Sequence, residues 1–180
     1  MSGSLRAQSY NTSIARLIRV YLESKNITTR FIEPAELQIP LYNSDISLDQ
    51  FSAGIITLKQ SVEEADIIIF VTPEYNHSVP GVLKNAIDWL SAGGKNSLDN
   101  KVGAMTGVST GVYGTLRAQS HLRDILKALN VYVVPQPDVY VGPAGKIFNE
   151  QNECIDEKTI EKIHTLIDKT IAFTEKLKSN

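Results

Sequence analysis

One cysteine, Cys154, stands in the 180 residues, set among Gln151, Asn152, Glu153 and Asp156. That scarcity excludes a disulfide framework and a thiolate metal site, which need several cysteines or histidines at short spacing. Histidine is nearly as rare. His77, His121 and His164 are far apart and no carboxylate stands at ligand spacing to them, so no metal centre is expected. Positive charge is not in excess: 18 Lys and Arg against 20 Asp and Glu leave a net charge of −2 with no basic run. That balance argues against nucleic acid or an anionic membrane as partner. Long apolar runs are missing too. The longest, Ile67-Ile68-Ile69-Phe70-Val71, falls far short of the ~20 residues that cross a bilayer, and no charged-then-apolar leader pattern is seen. These absences lead to the expectation of a soluble protein of the reducing cytoplasm whose partners are small molecules.

With 42% hydrophobic and 21% charged residues, the composition is that of an ordinary globular protein. No repeat, low-complexity tract or linker divides it, so residues 1–180 are expected to form one domain. Ile14, Ala15, Leu17, Ile18, Tyr21 and Leu22 recur at helical spacing behind the cap-competent Ser9, Asn11 and Thr12, which predicts a helix from near Asn11. Residues 27–33 alternate weakly, are rich in β-branched side chains and stop at Pro34, which predicts a short strand. A polar stretch over 36–50 then leads to a helix around Ile55, Leu58 and Val62.

The apolar segment 65–72, stopped by Pro73, reads as a strand buried on both faces in the middle of a parallel sheet. A helix follows over 79–90, with Pro80 near its first turn and Gly93-Gly94 ending it. Further along come a strand at 102–108, a helix at 116–129, a strand at 131–134 and a helix at 160–177, with a surface loop over 143–156. Such alternation predicts βαβ units, hence an α/β fold with a parallel sheet covered on both faces, and ligands held at the strands' carboxyl ends.

Two loops carry candidate chemistry. Ser2-Gly3-Ser4-Leu5-Arg6 runs into the first helix, where backbone N–H groups converge and Arg6 adds a planar cation able to pair two phosphate oxygens. The same residues are equally consistent with plain helix capping. Neither a Walker lysine pattern nor a full dinucleotide glycine fingerprint is present, so a single phosphate suits the loop better than two. Pro73-Glu74-Tyr75-Asn76 follows the apolar strand, where its backbone amides could meet the polar rim of a flat heterocycle or simply form a turn. Trp89 reads as core or subunit interface.

Gly3-Ser4-Leu5-Arg6 with Ser9 and Asn11, then Pro73-Glu74-Tyr75-Asn76 leading through Val79-Pro80-Gly81 to Leu83-Lys84-Asn85-Ala86-Ile87-Asp88-Trp89-Leu90, closely resemble the NADPH-dependent FMN reductase family. This family includes quinone and chromate reductases. The resemblance extends over nearly the whole chain and implies a flavodoxin-like, doubly wound sheet of order 2-1-3-4-5. It implies that Ser4, Arg6, Ser9 and Asn11 hold the phosphate of flavin mononucleotide (FMN), with Ser2, Leu5 and Tyr10 of the same loop as further cofactor contacts. Pro73, Glu74, Tyr75 and Asn76 would line the isoalloxazine. Ser109, in Gly107-Val108-Ser109-Thr110-Gly111, matches a third flavin loop, although Thr110 departs from its usual proline-containing pattern.

The implied activity is electron transfer from NADPH or NADH through FMN to quinones or other small acceptors, by a homodimer or homotetramer. A flavodoxin-like electron carrier is the alternative, and a flavin-free binding module a third; carriers are usually strongly acidic, unlike this chain. One expectation is awkward. A flavodoxin-like sheet places its first strand centrally, just before the phosphate loop, whereas Met1-Ser2 already lies in that loop. The first strand is therefore expected to be missing, through a misassigned or shortened start.

Overall fold

The structure, a computed structural model, describes residues 1 to 179. The amphipathic segments form five helices: α1 (Tyr10–Ser24), α2 (Ala53–Glu63), α3 (Gly81–Ser91), α4 (Leu116–Ala128) and α5 (Glu157–Lys178). Three of them start on a side chain that accepts from a first-turn N–H, supplied by Ser9, Ser52 and Asp156 respectively for α1, α2 and α5. Four strands, β1 (Ile67–Val71), β2 (Val102–Val108), β3 (Tyr132–Val133) and β4 (Val139–Val141), make one parallel sheet.

β1 pairs with β2 from Ile67 opposite Val102 to Val71 opposite Thr106. On the other flank of β2, β3 pairs with its start and β4 with its end. β2 is buried along its whole length, as the central member must be. Ile14, Ile18, Ile163 and Ile167 of α1 and α5 cover one face, against Val71, Ala104, Val108, Val139 and Val141. Leu58, Val62, Leu83, Ile87 and Leu122 of α2, α3 and α4 cover the other, around Ile68, Phe70 and Met105. Helices on both faces of a parallel sheet confirm the doubly wound α/β architecture. Trp89 belongs to the core. Its indole N–H donates to the Pro40 carbonyl at 2.7 Å and its ring meets Tyr42 and Phe51 edge-on.

Three expectations are corrected in detail. Residues 27–33 form no strand: a strand exists only through its ladder, and no segment lies within bonding reach of this one. β1 is not buried on both faces at mid-sheet, since Ile67 and Ile69 are half-buried and only residues 1–3 run along its free edge. There, Val71 N–H donates to the Met1 carbonyl and Gly3 N–H to the Val71 carbonyl, each at 2.9 Å. Of the order 2-1-3-4-5, strands 3, 4 and 5 are formed, strand 1 is represented by residues 1–3 alone and strand 2 is not formed. The strand at 131–134 shrinks to two residues, and its place is continued by β4, three residues long and too short for periodicity to reveal.

Among the described residues no helix is long and apolar enough to cross a membrane, and no group of His, Cys, Asp or Glu could hold a metal ion.

Candidate active site

β1 and β2 run side by side and end together, so the loops that leave them converge at one edge of the sheet. Gly107, near the end of β2, makes the closest approach: a Cβ there would stand 1.9 Å from the Thr72 carbonyl oxygen, so only glycine fits.

The loop 3–9 enters α1 and is fixed from beneath. Asn11 reaches across to the end of β2, its Nδ2 donating to the Val108 carbonyl at 3.0 Å and its Oδ1 accepting from the Val108 N–H at 2.8 Å. The hydroxyls of Ser2 and Thr12 lie 3.0 Å apart, and both side chains are buried. Ser9 caps α1 by accepting from the Thr12 N–H, and the Tyr10 ring packs on Phe148 with centroids 4.6 Å apart. The side chains of Ser2, Ser9, Tyr10 and Asn11 are thus engaged in holding the loop.

What the loop leaves free suits an anion. The N–H groups of Tyr10 and Asn11 in the first turn of α1 have no partner among the described residues, and the helix itself provides none. Arg6 is exposed and makes no hydrogen bond or ion pair among the described residues. The buried Ser4 hydroxyl has one contact, 3.5 Å from the Tyr75 hydroxyl, and Leu5 is exposed beside it. Amides at a helix N-terminus, a guanidinium and a hydroxyl form the donor set of a phosphate monoester, so the residues fit that group.

The loop after β1 is a tight turn. Tyr75 N–H donates to the Ser78 carbonyl at 3.1 Å and Ser78 N–H to the Tyr75 carbonyl at 3.0 Å. Asn76 and His77 between them have φ of 48° and 62°, the pair of left-handed residues that defines a type I′ turn. Asparagine accepts that conformation readily. Histidine does so at a cost, the kind of local strain that collects at functional sites. The N–H groups of Asn76 and His77 stand at the tip without a partner among the described residues.

The Glu74 side chain reaches to a neighbouring helix. It is 12% exposed and turns away from the crevice to the start of α4. There Oε2 accepts from the N–H groups of Arg117 and Ala118 at 2.9 and 3.1 Å. The Arg117 guanidinium lies 3.7 Å from Oε1, and His77 Nδ1 3.5 Å from it. A carboxylate on the N-terminus of a helix is stabilised by free amides and by the helix dipole, and α4 has no cap from its own flanking residue. Thr72 fixes the other end of the motif, its hydroxyl donating to the Pro73 carbonyl at 2.9 Å.

Ser109 in the third loop is bonded to the end of β4 and the segment that follows it, and it does not line the pocket that the first two loops share. Its N–H donates to the Val141 carbonyl and its carbonyl accepts from the Ala144 N–H, both at 3.0 Å, while its hydroxyl accepts from Gly111 N–H at 3.1 Å. Leu5 and Arg6 from the first loop, Tyr75 from the second, and Pro80, Gly81 and Val82 line one pocket of about 380 Å³. The structure therefore brings the first two motifs to one crevice. Sequence reasoning missed Thr12, Arg117 and the α3 start. Of these, only Pro80-Gly81 carried a local signal, being compact residues directly after the motif.

A parallel α/β sheet with an anion cradle and a rigid amide-bearing turn at one carboxyl edge defines a flavodoxin-like nucleotide-binding protein. The model of the NADPH-dependent FMN reductase family matches residues 1–146, and the chain belongs to that family. It is 40% identical over 164 residues to an NAD(P)H-dependent FMN reductase of Pseudomonas aeruginosa, covering 91% of this chain and 86% of the relative. A quinone reductase of Escherichia coli strain K12 is 37% identical over 164 residues, covering 89% and 86%. Among solved structures, the flavoenzyme NAD(P)H:(acceptor) oxidoreductase FerB of Paracoccus denitrificans superposes with a TM-score of 0.86 at 30% identity, covering 98% of this chain and 95% of its own.

Proposed function

We propose that this protein is an FMN-dependent NAD(P)H oxidoreductase that reduces quinones or other small acceptors such as free FMN, chromate or azo compounds. The observation that carries the reading is the unpartnered donor set of Arg6 and the first-turn amides of α1, set across one pocket from the Tyr75 turn. FMN held here would supply the redox chemistry that links NADPH or NADH to the acceptor.

The chain's own part is to hold and orient. Arg6, Ser4 and the Tyr10 and Asn11 N–H groups would hold the FMN phosphate. The Asn76 and His77 N–H groups, fixed by their turn, would donate to the polar rim of the ring and favour added negative charge there. Leu5, Tyr75 and Val82 give the pocket apolar walls and leave it open to an incoming substrate. No side chain is required as acid or base.

The test is a visible absorbance spectrum of the purified protein, followed by NADPH and NADH oxidation with and without a quinone. Turnover that depends on both flavin and acceptor is expected; a colourless protein that does not take up FMN rejects the proposal. Arg6→Ala removes a charged hydrogen-bonding partner and should weaken FMN binding about 10- to 100-fold, read by flavin fluorescence titration. Stoichiometric flavin retention in that variant overturns the phosphate assignment.

The proposal extends to one domain over 1–180, the cytoplasm as location and a homodimer or homotetramer as assembly. Val112 and Tyr113, 72% and 69% exposed in the loop beside the site, support the last point, since large apolar side chains so placed favour a covering subunit. Light scattering at working concentration tests it, and a monomer mass rejects it.

A further inference from the structure

The two unpartnered N–H groups at the start of α1 belong to Tyr10 and Asn11, and each of these residues is tied down by its own side chain. Asn11 grips Val108 through two hydrogen bonds. Tyr10 is held by its ring, which lies on Phe148 with 4.6 Å between centroids and 42° between planes. Phe148 stands in a short hairpin, residues 147–155, that lines no part of the pocket.

That hairpin is densely bonded to itself. Ile155 N–H donates to the Ile147 carbonyl at 2.9 Å, and Asn149 N–H to the Glu153 carbonyl at 3.0 Å. At the tip Asn152 has a φ of 60°, a left-handed conformation that asparagine accepts, and its N–H donates to the Asn149 carbonyl at 3.0 Å. The Asn149 side chain fills the turn: Oδ1 accepts from the N–H groups of Gln151 and Glu153 at 3.0 and 2.8 Å, and Nδ2 donates to the Glu153 carboxylate at 2.9 Å. What this turn presents to the core is Phe148, buried among the side chains of α1 and α5. The base of the hairpin is joined to the strand end that Asn11 grips. Ile147 and Phe148 N–H donate to the Ala144 carbonyl at 3.0 and 3.1 Å, and Ala144 N–H donates to the carbonyl of Ser109, the neighbour of Val108. A closed circuit results, running from Asn11 to Val108 and Ser109, on to Ala144 and Phe148, and back to Tyr10. One frame thus holds the first turn of α1 at two adjacent residues.

We propose that Phe148 is a positioning residue for the cofactor phosphate, acting through Tyr10 to aim the two free N–H groups of α1, and that the hairpin 147–155 sets how tightly FMN is retained. The inference rests on the phosphate reading above. The end of a helix frays easily, because its first N–H groups have no partner within the helix. A hydrogen bond to a charged oxygen, in turn, weakens steeply once the donor loses its alignment. The contact between Tyr10 and Phe148 removes that freedom before a ligand arrives, so the ordering is not subtracted from the binding. Neither Phe148 nor Asn149 needs to touch the ligand for this.

The experiment titrates the flavin-free full chain with FMN and with riboflavin, read by flavin fluorescence. The two ligands share the ring and differ in the phosphate, so the ratio of their affinities isolates what the phosphate contributes. Phe148→Ala should lower that ratio about tenfold, the worth of one charge-assisted hydrogen bond, by weakening FMN and leaving riboflavin binding as it was. Lys59→Met measures general destabilisation, because it abandons carbonyls at the end of α3 opposite to the pocket, and its ratio should match that of the unaltered chain. An unchanged ratio in Phe148→Ala, or an equal fall in Lys59→Met, overturns the proposal. If Phe148→Ala does not fold, Asn149→Ala decides: it loosens the hairpin from within and should lower the ratio several-fold, and an unchanged ratio there overturns the proposal. In the unaltered chain FMN should bind much more tightly than riboflavin. Equal affinities there would overturn the phosphate reading and this inference with it, whereas a high ratio that Phe148→Ala leaves alone overturns the inference alone.

Discussion

Glu74 does its work by facing away from the crevice. Two amide bonds and a guanidinium draw its carboxylate to the start of α4, and the backbone that leads from it carries the Tyr75 to Ser78 turn. One side chain therefore fixes where the Asn76 and His77 amides point. Glu74→Ala removes an N-terminal cap and leaves a guanidinium unpaired, which should cost about 1–2 kcal/mol of stability and weaken FMN binding several-fold. Glu74→Gln keeps one acceptor oxygen and should recover part of both. Urea denaturation together with flavin titration separates this residue from Arg6: Arg6→Ala should weaken FMN binding and leave the urea midpoint of the flavin-free protein unchanged. A Glu74→Ala variant with full stability and loosened flavin would instead place the carboxylate on the ligand.

Helix ends, like side chains, depend on distant partners here. The end of α3 is closed by Lys59 of α2, whose buried ammonium donates to the carbonyls of Leu90, Ala92 and Lys95 at 3.0, 2.9 and 3.1 Å. Burial pushes its pKa down, yet the last-turn carbonyls and the negative end of the helix dipole hold the charge in place. Lys59→Met keeps the apolar stem and abandons those carbonyls. A loss of about 2–4 kcal/mol is expected in thermal or urea unfolding, against near-neutrality for exposed lysines such as Lys146. The sequence marked Lys59 only as one residue of a helical stretch, because its partners lie 30 and more positions away. The same limit explains what else was legible. Five helices and the buried β2 could be read from periodicity, and both loops of the candidate site from their motifs, since each is a local pattern. The Asn11 clamp on Val108, 97 positions distant, and the Glu74 cap on α4 could not. Residues 27–33 have the composition of a strand and failed as one for a reason outside themselves: the ladder they require lies across a cavity.

At the scale of the whole molecule, the Met1 amine, desolvated where it donates to the Ile69 carbonyl, ties stability to pH. In the chain as it stands, burial pushes the Met1 amine from 8.0 down to about 5. Folded, it is neutral above pH 5, whereas unfolded it holds a proton up to pH 8. Between those values the unfolded state binds more protons, so stability rises with pH from 5 to 8 and levels off above; below 5 the protonated amine is present in both states and the full cost of burying it applies. Three pKa units correspond to a difference on the order of 4 kcal/mol between the two ends of that window. His164, which burial also pushes down where it stacks on Tyr21, contributes in the same direction. Acetylation of the α-amine separates the two, because it removes the Met1 contribution and leaves that of His164. Urea midpoints measured at pH 5.5 and pH 8 should differ clearly for the free amine and much less for the acetylated chain. An equal pH dependence in the two would mean that the amine is solvated in the folded chain and carries none of the difference.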